Sequence, residues 1–97
     1  MTKLRCTLYP GQFSTEYTVV VEAFDGRQFS LFASCDDVEA EGEPTEDHPV
    51  DGWLSVWVVN QQGGNVLVRL PQGTIENGQH LSVRQEQLRP APEYMGV

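Results

Sequence analysis

A hydrophobic alternation of period two runs through this chain, and it excludes most folds open to 97 residues. Tyr17, Val19, Val21 and Ala23 alternate with Thr18, Val20, Glu22 and Phe24. After Asp25-Gly26 a second β-rich run spans 27–34. Asp-Gly between two such runs signals a hairpin, expected here as a two-residue type I′ turn with positive φ at both centres. Earlier, Leu4, Cys6 and Leu8 alternate with Arg5, Thr7 and Tyr9 before a Pro10-Gly11 turn. Residues 52–59, 65–70 and 79–84 read as three further strands. They are separated by a Gly63-Gly64 turn and by Pro71, Gly73 and Asn77-Gly78. Residues 85–88 suit a single 3₁₀ or helical turn.

No segment carries a helical stripe of useful length. Five or six short strands joined by tight turns imply an all-β fold, a small antiparallel barrel or sandwich. The spacing of the strands resembles that of an SH3-like barrel, with an OB-like barrel or a small β-sandwich as alternatives. That resemblance is one of architecture and implies no function. A single β-barrel domain is expected over 1–90, with 91–97, which hold Pro92 and Gly96, as a flexible tail.

Glu22 marks the solvent side of its strand, so Thr18, Val20 and Phe24 share that side. The core set is then Val19, Val21, Ala23, Phe29, Leu31, Leu54, Val56, Val58, Val66, Val68, Leu81 and Val83. Val20, Phe24, Phe32, Trp53, Trp57 and Val59 are left on a face that ought to be polar. Three arrangements resolve this. The fourth strand can be inverted so that Trp57 is core and Val56 is out; strong bending can bury both parities; or the face is exposed and used by a partner.

Charge is distributed unevenly. Of fourteen acids, eight lie in residues 36–51, which contain no Lys or Arg: Asp36, Asp37, Glu39, Glu41, Glu43, Glu46, Asp47 and Asp51. The other six acids match six bases, so the formal charge of −8 belongs to this segment. Gly42, Pro44 and Pro49 prevent regular structure there, and an extended solvated loop is expected. Loops of this length in a small domain are often functional. The bases Lys3, Arg5, Arg27, Arg69, Arg84 and Arg89 form no patch along the sequence. Binding to nucleic acid or to an anionic membrane is therefore disfavoured, because both need clustered cations.

The expected role is non-enzymatic: a small protein-interaction or accessory module. Its expected recognition residues are the eight acids of 36–51 with Trp53 and Trp57, and its partner a protein with a basic surface. Self-association through the aromatic face is the other form of that expectation. The alternative is a small-ligand or divalent-cation site, with Asp36, Asp37, Glu39, Asp47 and Asp51 converging at the base of the loop and His48 adding an imidazole. The EF-hand spacing is absent, and no cofactor or specific metal is expected. Nor is catalysis: His48 and His80 are the only histidines, and no nucleophile signature accompanies them. Cys6 and Cys35 are too few for a disulfide framework and read as small buried hydrophobes. With no apolar leader and no apolar run long enough to span a bilayer, the cytoplasm is the expected compartment.

Overall fold

Eight strands and two 3₁₀ turns account for the regular structure of the computed structural model, which describes residues 2–76 and 78–90. In chain order the strands are β1 (Thr2–Pro10), β2 (Glu16–Glu22), β3 (Gln28–Ser34), β4 (Val38–Ala40), β5 (Val50–Gln62), β6 (Asn65–Arg69), β7 (His80–Arg84) and β8 (Leu88–Arg89). One 3₁₀ turn, Cys35–Asp37, leads into β4, and the other, Gln85–Gln87, leads into β8. The main path across the sheet is β3-β2-β1-β5-β6-β7, with β4 added to β5 and β8 to β1. Six strands on that path match the all-β expectation. The sheet curls into a half-barrel, and β4 and β8 are short additions too small to read as separate runs.

Register explains which residues become core. Residues Thr2 to Leu8 of β1 pair with Val56 to Val50 of β5. The inward set of these two strands is Leu4, Cys6 and Leu8 with Leu54 and Val56, each at most 5% exposed. Val19, Val21, Ala23, Phe29, Leu31, Val66, Val68, Leu81 and Val83 complete the expected core, joined by Ala33, Leu70 and Leu88. The inverted register is excluded: Val56 is 1% exposed and Trp57 is 44% exposed.

Val58 departs from expectation, being 40% exposed. The β5–β6 register shifts between Val58 and Asn60, leaving Val59 as an extra residue. A bulge bends and twists its strand, which carries Val58 partly out of the core although it still pairs with buried Val68.

The β2–β3 hairpin is also built differently. Gly26 N–H donates to Ala23 O at 2.9 Å and Ala23 N–H to Arg27 O at 2.8 Å, enclosing Phe24, Asp25 and Gly26. Only the glycine takes positive φ (+89°). The loop therefore has three residues with Gly in the left-handed position, so Asp25 avoids the strain a type I′ turn would impose. By contrast, Gly63 and Gly64 do join β5 to β6 as a two-residue turn, Gly63 having φ +61°.

Along its edge facing β2 and β8, β1 is paired at Thr7–Pro10 with β2 and at Lys3–Leu4 with β8. Side chains bridge the interval. Buried Gln87 accepts from Arg84 N–H at 2.7 Å and donates from Nε2 to Glu22 O at 2.8 Å. The Arg84 guanidinium donates to Phe24 O at 3.2 Å and pairs with Glu22 at 3.0 Å. Phe24 N–H donates to Ser82 O, so the β2 end and β7 meet and the sheet curls around its core.

Candidate functional site

The ten residues singled out by sequence do not form one loop. Asp36 and Asp37 lie in the Cys35–Asp37 turn, whose start is capped by the Ser34 hydroxyl accepting from Asp36 N–H. Glu39 belongs to β4 and Asp51 to β5, leaving only 41–49 as irregular connection. Even that stretch is anchored. Glu41 N–H donates to Asp51 O, and Pro44 is buried and lines a shallow cavity with Phe13 and Tyr17 of the β1–β2 region. Thr45 and His48 exchange backbone hydrogen bonds at 3.1 and 3.2 Å, and the Thr45 hydroxyl accepts a second bond from His48 N–H. Glu46 and Asp47 stand exposed on that turn, and Glu41 and Glu43 are exposed as well. An extended free loop is thus replaced by a short, pinned one. The cause is that Val38 and Val50, at its two ends, pack against the core.

Convergence of the acids is not found. Among the described residues no three His, Cys, Asp or Glu side chains stand close enough to share a metal ion. What Glu39 meets instead is cationic: its Oε2 pairs with Lys3 Nζ and with Arg89 Nη2 at 3.5 Å. The hydrogen bond and charge of Lys3, helped by Arg89, hold its carboxyl below the ordinary value of 4.5.

These contacts follow from register. On β5, Asp51, Trp53, Ser55 and Trp57 share the outward parity. Trp53 stands between Arg5 of β1 and Glu39 of β4, both its direct partners. Lys3 stands between Ser55 and Arg89 of β8, and Trp57 opposite Arg69 of β6. The guanidinium of Arg89 lies over the Trp53 ring at 4.3 Å and that of Arg5 at 6.0 Å, while Arg69 lies over Trp57 at 5.8 Å. Such stacking holds the cations against the ring faces and covers part of Trp53, which is half-buried. Four of the six bases therefore gather on one outer face with both tryptophans.

Sequence reasoning missed that patch. The signal was present in part, since Arg5 and Arg69 alternate with buried neighbours and so had to point outward. Which strands would lie side by side was not readable, because β8 and β4 are two and three residues long.

Cys6 is a free thiol in the core, and burial first, then the Asp51 charge, pushes it up to about 12. It is held in the unreactive protonated form. Cys35 is also free and half-buried, its thiol directed at Ser14 O at 3.7 Å. His80 is exposed on the strand position outward from Leu81, as its alternation implied. The residues assigned to a tail, 91–97, lie outside the described residues. Among the described residues no helix is long and apolar enough to cross a membrane. Comparison with protein families, with curated proteins and with solved structures finds no match for this chain.

Proposed function

We propose that this protein is a non-enzymatic protein-interaction module that docks its acidic segment onto a basic surface of a protein partner. The observation that carries this reading is the exposure of Glu41, Glu43, Glu46 and Asp47 on a connection pinned by Pro44 and by the Thr45–His48 turn. A pre-shaped strip of like charge steers encounter and loses less entropy on binding than a free tether. Trp53 and Trp57 are apolar anchors on the neighbouring outer face, the side-chain type that dominates protein interfaces. With both cysteines free, a reducing compartment such as the cytoplasm suits the chain. Nucleic acid and anionic membrane remain outside the proposal, because the net charge of −8 repels both.

The test is an amide NMR titration with a lysine-rich peptide as probe. Shifts concentrated in residues 41–51 and abolished by high salt are expected. Shifts spread evenly over acids elsewhere, such as Glu16, Glu76 and Glu86, would mean that the segment has no special role.

A further inference from the structure

We infer that the outer face formed by β1, β5, β6 and β8 is a docking surface for the acidic segment of a second copy of this chain. The inference rests on the proposed role of that segment and names the basic partner it would meet. Its ground is charge complementarity. Lys3, Arg5, Arg69 and Arg89 against Glu39, Glu41 and Asp51 leave this face at +1 in a chain of −8, so the rest of the chain carries −9. Among the described residues this cluster of four bases coincides with the two tryptophans, and the exposed acids Glu43, Glu46 and Asp47 lie in the connection beyond β4.

The face already shows how it receives a carboxylate. Glu39 sits beside Trp53 with Lys3 and Arg89 on its oxygen. Arg5 and Arg69 are exposed cations laid against aromatic rings, and among the described residues neither forms an ion pair. Each has guanidinium donors arranged for a planar carboxylate. Glu46 and Asp47, on the tip of their turn, supply the matching group from the other copy. In a two-fold dimer the same contact occurs twice. Trp57, 44% exposed, supplies the apolar area that ion pairs at a wet rim lack.

The experiment is a charge swap read by sedimentation equilibrium. Wild-type protein is measured up to about 1 mM, in salt of about 50 and about 500 mM, beside two variants. One is Glu46→Lys with Asp47→Lys; the other is Arg5→Glu with Arg69→Glu, whose altered side chains are exposed and leave the core untouched. Wild type is expected to associate at low salt and dissociate at high salt, and each variant alone to weaken association at least about tenfold. An equimolar mixture of the two variants restores both contacts and should associate again, which also shows that both are folded. A wild type that stays monomeric at low salt overturns the inference, as does association indifferent to both variants or a mixture that fails to recover. If the lysine-rich peptide still binds residues 41–51 while copies stay apart, the interaction module stands and only the identity of its partner changes.

Discussion

The two faces of β5 carry opposite assignments of size. Leu54 and Val56, inward, are fully buried, whereas the larger Trp53 and Trp57 point outward and keep company with arginines. Total hydrophobicity would have placed the tryptophans in the core. Parity decides instead, because a one-residue slip would expel Leu54 and Val56 together and force a cation row inward. The interaction proposed above assigns these exposed aromatic side chains to a partner and not to the core.

That contrast can be broken most sharply from the inside. Leu54→Ala should lower unfolding free energy by about 2–5 kcal/mol in denaturant titration, since it empties a fully buried site. A loss under about 1 kcal/mol would show that this face is not the core.

Cys6, one register step from the Leu54 level, tests the same interior by pH. Its folded-state value of about 12 lies above the ordinary 9.0, so the unfolded chain releases the proton first. The stabilisation is full below pH 9.0 and is lost as pH rises toward 12, by up to about 4 kcal/mol at about 1.4 per unit. Cys6→Val should flatten this alkaline decline relative to wild type in urea midpoints taken across the range.

Gly52 faces the same side as Leu54 and is required there for space. A Cβ would stand 2.5 Å from Leu8 Cδ1 and 2.7 Å from the Glu39 carbonyl oxygen. Gly52→Ala is expected to cost about 1–3 kcal/mol, with β4 amides losing hydrogen-exchange protection first because its carbonyl must move. Unchanged protection in β4 would contradict that account.

On the outer face the expected effects shrink. Glu39→Gln removes a carboxyl whose folded value lies below 4.5, so its contribution is present above 4.5 and fades as pH falls through the lowered value. Wild type and variant should differ near neutrality and converge in acid. A difference that persists in acid would assign Glu39 a role other than its ion pairs with Lys3 and Arg89.

Much of the fold was legible because alternation survives in strands of five residues or more. Eleven of the twelve residues expected in the core are buried, and the exception, Val58, is displaced by a bulge at Val59 that no pattern announces. The Asp25-Gly26 hairpin was recognisable from the glycine, but its length was not. That depended on whether Asp25 would accept positive φ, and its carboxylate instead binds Arg27 N–H and Nε.

The candidate site was less legible. Consecutive acids suggested one loop, although Val38 and Val50 were close enough in sequence to clamp it at both ends. The cationic face is assembled from residues 3, 5, 69 and 89: β1–β5 and β5–β6 pairing place the first three, and a two-residue strand that only tertiary pairing creates adds Arg89. Long-range register of that kind leaves no local trace.

If the outer tryptophan face serves association and not folding, as proposed, Trp57→Ala separates the two. Denaturant unfolding and sedimentation would be run on the same preparation, the former at a dilution where copies separate, because association adds its own stability. We predict an unfolding free energy within about 0.5 kcal/mol of wild type together with weakened association. A loss of about 3–5 kcal/mol in a monomer that never associates would make Trp57 a core residue and contradict the account.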